Sequence, residues 1–353
     1  MIDVVDDQLL SSLEEADPAV PWHTPGVYAV TEGVFRIPLP LPDEGLHSVN
    51  VYAVEGPDGL TLVDSGEASA ASRADLVRAL AALGHGVQDV RRILVTHVHR
   101  DHYTLAVALR RETGLELHLG RGEQASLRLV ADPARGMLRT QLDMLVECGA
   151  GALAAELAPA EDPLPASIWE DPDHWVDEGP VRAGARVLDA LPTPGHTAGH
   201  LVFRDAAGSM LFAGDHVLPH ITPSIGFEPA PPTLPLGEYI RSLQLVRALP
   251  DTRLLPAHGH VTRSVHDRVD ALLAHHDDRL ESTLLAVLPG EGATAHEVAG
   301  RLVWTRRARP LSGLSPVNRM LAVLETKAHL DLLVVRSLLR SELVDGVRRY
   351  ARP

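Results

Sequence analysis

The stretch LVTHVHRDHYT, residues 94–104, places three histidines and an aspartate within six positions, where an apolar run ends. Alternate side chains of an extended strand point to the same face, so His97 and His99 are predicted to project together from the end of that run. Asp101 and His102 follow at the turn into the next helix, whose N-terminus favours negative charge. Imidazole nitrogens and carboxylate oxygens are ligands for zinc and similar divalent metals. The stretch therefore predicts a metal site at the end of a strand.

Three later motifs supply side chains that complete such a site. TPGHTAGH, LFAGDH and LLPAHGH contain, in this order, His196, Asp215 and His258. Asp215 and His258 follow apolar runs with strand composition, and loops at strand ends are where functional side chains tend to lie. The sequence therefore offers one set of metal ligands from four separate segments.

Composition and charge limit the classes of function. A chain of 353 residues can bury a large core and hold more than one domain. Its net charge of -15 disfavours a large nonspecific surface for polyanions, because affinity for phosphates comes mainly from lysine and arginine. The charge is uneven, since the segment from Glu291 to the end has ten arginines and one lysine against four glutamates and two aspartates.

The cysteine content and the apolar runs indicate the compartment. The single cysteine, Cys148, excludes an internal disulfide and fits a reducing cytoplasm. The acidic first ten residues lack the basic and apolar regions of a secretory signal. Because no stretch reaches the ~18 uninterrupted apolar residues of a membrane span, the sequence predicts a cytoplasmic protein without membrane association.

The hydrophobic patterns predict a layered α/β organisation. Three runs with strand composition (GVFRIPLPL, SVNVYAVEG and LTLVDSG) come first, and strands then alternate with helices. Residues 121–170 are rich in alanine and leucine and are predicted to be mostly helical before a proline-containing loop. A long helix is predicted over roughly 264–288, and the Asp345–Gly346 pair between two strand-like runs predicts a hairpin.

The order of the motifs, HxHxDH, TPGHTxGH, GD and a late histidine after an apolar run, resembles that of the metallo-β-lactamase-fold hydrolases. NVYAVEGPDGLTLVDSG, with Asp64 in its last turn, is similar to the early strands of that family. The resemblance covers about residues 27–288. It implies an α/β fold, a four-layer αββα sandwich with two metal ions at one edge.

The resemblance also implies distinct roles for seven residues. The first metal would be bound by His97, His99 and His196. The second metal would be bound by Asp101, His102 and His258, and Asp215 would bridge the two metals. Two divalent ions ~3.5–4 Å apart can lower the pKa of a shared water toward ~7 and produce a metal-bound hydroxide. Asp101, His102 and Asp215 are therefore the predicted catalytic residues. Zinc is the favoured metal, with iron or manganese as alternatives.

Other polar residues near the motifs have less specific roles. Asp64 is predicted either to orient a metal ligand through a hydrogen bond or to stabilise its own turn. Supporting or structural roles are expected for the additional histidines, which are His200, His216, His260, His275 and His276.

Three regions are candidates for contact with the substrate. Arg100 is predicted to receive a substrate carboxylate or phosphate, or else to form a salt bridge outside the pocket. Tyr103 is predicted to line the entrance. The segment at about 121–180, with Trp169 and Trp175, is predicted to form the wall that selects the substrate.

The C-terminal segment narrows the resemblance to one branch of the family. Residues 289–353 resemble its winged-helix tail, which predicts a catalytic domain over 1–288, with a helical insert at about 121–180, and a small winged-helix domain over 289–353. Members of this branch include thioesterases acting on acyl carriers in polyketide pathways and an endoribonuclease. Glyoxalase II shares the metal motifs and has a different tail.

Two functions are consistent with this resemblance. The favoured one is a dinuclear-metal hydrolase that uses the metal-bound hydroxide on a thioester or related ester of a small-molecule or carrier-bound acyl substrate. The alternative is a metal-dependent endoribonuclease or other phosphodiesterase whose winged helix contacts nucleic acid. A basic patch facing the metals favours RNA, whereas arginines paired with the acidic domain favour a packing role. The oligomeric state stays open, with a homodimer as one alternative.

Overall fold

The computed structural model describes residues 10–12, 20–41, 46–160, 166–305 and 307–353. Within these residues the chain forms two β-sheets that pack face to face, with helices on both outer faces. Arg306, one of the arginines of the C-terminal segment, lies outside the described residues. No helix in the described part of the chain is long and apolar enough to cross a membrane.

The first sheet contains eight strands that neighbour one another in chain order: β1 (Leu10–Ser12), β2 (Val27–Thr31), β3 (Val34–Pro40), β4 (Ser48–Gly56), β5 (Gly59–Val63), β6 (Val90–Val95), β7 (Glu116–Gly120) and β8 (His174–Val176). Strands β2 to β5 pair antiparallel, whereas β1 is parallel to β2, and β5 to β8 are parallel. Two helices connect the parallel strands β5, β6 and β7, as such crossovers require: α1 (Ala70–Ala82) and α2 (Arg100–Thr113).

The second sheet contains five strands: β9 (Gly179–Ala183), β10 (Arg186–Pro192), β11 (Leu201–Asp205), β12 (Met210–Gly214) and β13 (Arg253–Pro256). Its spatial order is β13-β12-β11-β10-β9, with only the β12–β13 pair parallel. The outer face is covered by helices of three segments: α4 (Arg139–Glu147) and α5 (Gly151–Leu157); α6 (Pro235–Ala248) and α7 (Val265–Ala286); α8 (Ala295–Arg301) and α9 (Pro316–Val335). Helix α3 (Gln124–Val130) instead contributes Leu127 to an apolar cluster on the first sheet.

Alternation of side chains along the strands produces the layers. In β4, Val49 and Val51 belong to the apolar cluster beneath α1 and α2, whereas Tyr52 and Val54 belong to the cluster between the sheets. Successive strand residues point to opposite faces, so a strand with both faces apolar is buried from both sides. The outer face of the second sheet contributes Leu211 to a third cluster with helices α4 to α9. The result is the predicted αββα sandwich.

The C-terminal segment adds two helices and a hairpin. Its short strands are β14 (Ala293–Thr294), β15 (Val303–Trp304), β16 (Arg309–Pro310), β17 (Arg340–Val344) and β18 (Val347–Ala351). Met320 and Leu324 of α9 lie in the same buried cluster as Leu243 of α6 and Leu272 of α7. One apolar cluster therefore crosses the predicted domain boundary at 288/289. The winged-helix identity of this segment stays a prediction.

Several local predictions are confirmed. The predicted long helix corresponds to α7, where the Ser264 side chain caps the N-terminus by accepting from the Asp267 N–H. The predicted hairpin joins β17 and β18, and both Asp345 and Gly346 have positive φ angles, of 49° and 78°. Two such residues in succession are typical of the tight type I′ turn.

Candidate metal centre

All seven predicted ligands lie at one edge of the sandwich, where strands end. His97 and His99 follow β6, and Asp101 and His102 lie in the first turn of α2. The other three follow or precede strands of the second sheet: His196 between β10 and β11, Asp215 after β12, and His258 after β13. The fold therefore brings together side chains that are up to 161 positions apart in the sequence.

The ligand atoms form two groups. His97, His99, His196 and Asp215 make one group and Asp101, His102 and His258 the other, and within each group the ligand atoms lie within 4.8 Å of one another. Except for His99, which is partly exposed, the seven side chains are buried. The division of ligands between the two groups matches the one that the family resemblance implies.

Asp215 lies between the two groups. Its Oδ2 atom is 3.5 Å from His196 Nε2, and its Oδ1 atom is 3.4 Å from His258 Nε2 and 3.7 Å from His102 Nε2. One carboxylate thus presents an oxygen to each group, which is the arrangement needed of a bridging ligand.

Unpaired polar atoms show that the site fits cations. Among the described residues, His102 Nε2, His258 Nε2 and Asp215 Oδ1 are buried without a hydrogen-bond partner. A buried polar atom without a partner costs ~1–3 kcal/mol, so three of them in one place are unfavourable unless something binds them. Imidazole nitrogens and a carboxylate oxygen are a donor set for zinc-like divalent ions. The residues therefore fit a dinuclear metal site.

Hydrogen bonds on the far side of each ring direct the ligand atoms. His196 Nδ1 donates to the Ser224 carbonyl at 2.8 Å, and His258 Nδ1 donates to the Ser48 carbonyl at 2.7 Å. Because a carbonyl oxygen only accepts, Nδ1 carries the proton in both rings, and Nε2 keeps its lone pair toward the site. Such outer hydrogen bonds fix the tautomer and orientation of metal-binding histidines.

Burial keeps the three histidines of the first ligand group neutral. Burial lowers the pKa of His99 to about 3 and that of His196 to about 4, and it lowers the pKa of His97 well below its usual range. In the second group, burial opposes charge on His102, but the carboxylates of Asp101 and its neighbours raise the pKa of His102 well above its usual range. The carboxylates thus concentrate negative charge where the second ion is expected.

Asp64 contacts a ligand histidine through a hydrogen bond, which is the first of its two predicted roles. Its Oδ2 atom is 2.9 Å from His102 Nδ1, and its Oδ1 atom accepts from the Thr96 backbone N–H at 2.8 Å. Its backbone has a φ of 61°, which is unusual for a residue other than glycine and is costly unless the surroundings hold it. This strained turn holds His102 in position and ties it to the end of β6.

The additional histidines lie around the site or away from it. His200 Nε2 accepts from the Asp215 backbone N–H at 3.2 Å, and its Nδ1 lies 2.9 Å from Thr193 Oγ1, so His200 supports the bridge. His216 is buried against Tyr239, and His260 lies near His220. His275 and His276 are on α7, where His276 Nδ1 faces His329 Nε2 of α9 at 3.4 Å. None of these five belongs to either ligand group.

Asn50 is a supporting residue that the sequence interpretation missed. Its Nδ2 group donates to the carbonyls of Pro256 and Gly259, at 2.9 and 2.8 Å, on either side of His258. The buried guanidinium of Arg36 donates to Asn50 Oδ1 at 2.8 Å and thereby fixes the orientation of the amide. Asn50 therefore shapes the loop that carries His258.

A buried pair of glutamates was also missed. The Glu123 carboxyl accepts from the Thr197 hydroxyl and from the backbone N–H groups of Val98 and Gly199. Val98 lies between His97 and His99, and Thr197 follows His196, so one carboxyl joins both ligand loops. A Cβ at Gly199 would overlap the backbone of Glu123, so only glycine allows this approach.

Glu228 lies close to Glu123 and accepts from the Ser126 hydroxyl at 2.6 Å. Burial and the neighbouring Glu228 raise the pKa of Glu123 well above its usual range, and burial raises the pKa of Glu228 to about 7. Burial therefore disfavours the charged form of both carboxyls in this pair. The only sequence signal was a glutamate that follows two nearby glycines, in GRGEQ.

Replacement of Glu123 by alanine is expected to weaken metal binding by ~10–100-fold, as for other residues that hold metal ligands from behind. Glu123→Gln keeps an acceptor oxygen without the charge and should restore most of the affinity. Competition with a chromophoric chelator measures both variants. Glu325→Ala, at a partly buried glutamate of α9, is the control. Equal metal affinity for Glu123→Ala and the control would contradict the supporting role.

The structure corrects the predicted role of Tyr103. This side chain is fully buried in the cluster beneath α2, and its hydroxyl donates to the Glu170 carbonyl. Trp169 stacks on Tyr103 with ring centroids 6.3 Å apart and is itself buried. Neither side chain lines an entrance, because the segment around Glu170 closes over this face of α2.

The remaining substrate predictions have mixed outcomes. Trp175 lies in β8 and lines a cavity at the sheet edge with His118 and His174, so it does not form a wall over the seven residues. Arg100 Nε lies 3.3 Å from Glu67 Oε1, which is the salt bridge predicted as the alternative to substrate binding. Contact of Arg100 with a substrate stays a prediction.

Comparison with known proteins agrees with the fold. Residues 45–258, more than half of the chain, match the sequence profile of the metallo-beta-lactamase superfamily. The chain belongs to the metallo-beta-lactamase superfamily. Membership implies a hydrolase that depends on divalent metal ions, as the sequence predicted.

Two relatives illustrate the range of similarity. The chain is 27% identical over 311 residues to the probable metallo-hydrolase YqjP of Bacillus subtilis, a match that covers 86% of this chain and 92% of that protein. It is 30% identical over 153 residues to a beta-lactamase-like protein 2 homolog of Caenorhabditis elegans, covering 42% of this chain. The match spans 49% of the C. elegans protein, about half its length.

Two solved structures are similar over almost the entire chain. A metallo-beta-lactamase family protein from Thermus thermophilus has a TM-score of 0.76 and 28% identity, covering 92% of this chain and all of that one (100%). A beta-lactamase domain protein from Burkholderia ambifaria has a TM-score of 0.74 and 30% identity, covering 96% and 98%. Coverage this high requires that most of the C-terminal segment is included in the similarity.

Proposed function

We propose that this protein hydrolyses a thioester or related ester bond of an acyl substrate, with two divalent metal ions, preferably zinc, held by the seven residues. The observation that carries the proposal is the orientation and hydrogen bonding of the ligand histidine rings. The rings of His102, His196 and His258 each direct Nδ1 to a carboxylate or carbonyl outside the site and Nε2 into it. When Nε2 holds a metal ion, these rings have no proton to give to a leaving group. A thiolate, with a thiol pKa of ~8.5, leaves without prior protonation, whereas an alkoxide does not.

The protein's own residues position the ligands and control charge. When bound, two divalent ions supply Lewis-acid polarisation of the carbonyl and activation of a water molecule. Asp215 presents one oxygen to each ligand group, and Asp64 holds His102 in the orientation that the site needs. Asp101 Oδ2 lies 3.3 Å from His258 Nε2 and 3.4 Å from His102 Nε2, which fixes the second group.

Aromatic side chains next to the site support an acyl substrate. The Phe227 ring lies 6.2 Å from the His99 ring, and the Trp22 ring lies 6.5 Å from the His258 ring, between centroids. Both aromatic residues are partly exposed. They offer apolar surface on two sides of the ligand groups, where the chain of an acyl group can lose contact with water.

Replacement of Phe227 by alanine is expected to raise KM for a medium-chain acyl thioester by roughly tenfold, because one large apolar contact is lost. The value of kcat should change less, since Phe227 does not hold a ligand. Steady-state kinetics with acetyl and octanoyl thioesters measure the effect, and the acetyl substrate is the internal control. An equal change for both substrates would remove Phe227 from the acyl site.

The arginines of the C-terminal segment support a packing role for this segment rather than an RNA surface. Arg319 contacts Glu156 of α5 at 2.7 Å, and Arg348 contacts Glu147 of α4 at 2.6 Å. Arg352 donates to the carbonyls of Leu284 and Val287, at 3.0 and 2.8 Å. The segment thus pairs several of its positive charges with the rest of the protein, which leaves fewer of them to contact phosphates.

The alternative, a ribonuclease, is tested with the same protein. We expect release of thiol from acyl thioesters that depends little on salt, and no cleavage of single-stranded RNA. Neutralising the exposed Arg307 and Arg309 should leave thioester turnover unchanged. Strongly salt-dependent RNA cleavage that these substitutions abolish would replace the thioesterase proposal with the nuclease alternative.

A further inference from the structure

We infer that Glu116, His118 and His174 form an additional site for a divalent transition metal, separate from the seven-residue centre. These residues lie on β7 and β8, at the edge of the first sheet. Each offers one ligand atom, and the three atoms lie within 4.8 Å of one another. None of them belongs to the ligand groups described above.

The strand register places the three side chains side by side. Glu116 and His118 are two positions apart on β7, so they share a face of the sheet. His174 of β8 is the partner of His118 in the parallel pairing. The His118 and His174 rings are 4.6 Å apart between centroids, and His118 Nε2 is 3.3 Å from Glu116 Oε2. Two neighbouring strands thus direct three ligands to one point.

The face that carries these ligands is turned toward the second sheet. His118 pairs with Leu94, which belongs to the apolar cluster between the sheets. At this edge of the sheet, His118 and His174 take the place of apolar side chains. They line a cavity of about 430 Å³ that also contacts β9. His174 and Glu116 are exposed, so an ion from solvent can reach the ligands. The cavity leaves room for water to complete the coordination.

The state of His118 suits a metal ligand. Burial lowers the pKa of His118 to about 4, against the raising effect of the hydrogen bond with Glu116. The ring is therefore neutral at pH 7 and has a lone pair to offer. Two imidazoles and one carboxylate are a ligand set for zinc, cobalt, nickel or copper, whereas magnesium and calcium prefer oxygen ligands.

Arg92 competes with a metal for Glu116. Its Nε and Nη2 atoms lie 2.9 and 2.5 Å from Glu116 Oε2. The hydrogen bonds of Glu116 to Arg92 and His118 all use this oxygen, which leaves Oε1 for a metal. The positive charge of Arg92 nevertheless opposes a cation at this place, so the site should bind more weakly than the seven-residue centre.

The site would fasten a short edge strand to the sheet. β8 has three residues, and His174 is its first. A metal that joins His174 to the two β7 ligands would add a link between the strands, and a ligand that binds only the folded state raises its stability. The role inferred for this metal is therefore structural.

The test is a titration of the holoprotein with Zn²⁺ after loosely bound metal has been removed. We expect the wild-type protein to take up one equivalent beyond the metal it retains, and to gain thermal stability. The His118→Ala/His174→Ala variant should lose this uptake while keeping its retained metal and its circular dichroism spectrum. Mg²⁺ should produce neither effect.

Two further variants sharpen the result. His85→Ala is the matched control, because His85 is a partly exposed histidine with Glu55 and Asp89 carboxylates 3.9 and 3.8 Å away, and it should not change zinc uptake. Arg92→Met should bind the additional zinc roughly two- to fivefold more tightly, because a competing surface charge is removed. No additional uptake by the wild type, or equal uptake by the double variant, would overturn the inference. Neither result depends on the substrate of the seven-residue centre.

Discussion

Replacement of Asp215 by asparagine is expected to reduce the metal content and the turnover of the protein together. The two carboxylate oxygens face opposite groups of histidines, so the neutral amide removes a charge that both ion positions use. Loss of a supporting hydrogen bond costs ~10–100-fold in metal affinity, and loss of a shared ligand should cost more. Metal analysis of the purified variant and kcat for an acyl thioester measure the two effects.

The matched control is Asp189→Asn, at a partly exposed aspartate of β10 whose carboxylate lies 3.7 Å from Arg204. This substitution removes the same charge from the same sheet without touching a ligand, and it should leave metal content and kcat unchanged. The Asp215→Asn protein should remain folded, because the substitution removes a negative charge that is unfavourable to bury. Wild-type metal content and kcat in the Asp215→Asn protein would rule out the bridging role.

Deletion of residues 289–353 is expected to prevent folding of the remaining chain. Met320, Leu324 and Leu333 of α9 are buried in the cluster that also covers the outer face of the second sheet. Exposure of each large apolar side chain costs ~1.5–3 kcal/mol, and a domain is stable by only ~5–15 kcal/mol in total. The truncated protein should be insoluble or show no cooperative thermal transition.

A pair of leucine substitutions tests the same point in the full chain. Leu324→Ala, at 1% exposure, should lower the free energy of unfolding by ~2–5 kcal/mol. Leu343→Ala, at 58% exposure on the hairpin, should change it by less than ~0.5 kcal/mol. Urea denaturation measures both. A soluble, cooperatively folding truncation, together with a small effect of Leu324→Ala, would show instead that residues 289–353 form an independent unit.

The grouping of the seven candidate ligands was predictable from the sequence because each lies in a short motif next to a strand end. His97, His99, Asp101 and His102 are almost contiguous, so the chain necessarily places them near one strand end, although His97 and His99 lie just beyond β6 and not within it. The family resemblance then predicted how His196 and His258 join them. The layered α/β organisation was predictable for a similar reason, since strand alternation and helix spacing are local patterns, whereas the αββα sandwich was implied by the family resemblance.

The residues that support the ligands were not predictable in this way. Asn50 reaches carbonyls more than 200 positions away, and Glu123 reaches Thr197 across 74 positions. Such contacts depend on the packing of distant loops, for which one sequence carries no local signal. The prediction for Tyr103 was wrong because the first turns of α2 are buried on every side, from Asp101 to Val107, so helix periodicity does not indicate an exposed face.

The most direct test of the proposed function is thiol release from acyl thioesters by the metal-loaded protein, assayed beside its Asp215→Asn variant. We expect the wild type to hydrolyse the thioester with turnover that is lost on chelation and returns with zinc, and we expect the variant to be at least about 100-fold slower. No release from any acyl thioester or ester by the fully metal-loaded wild type, or equal rates for the wild type and the variant, would contradict the account.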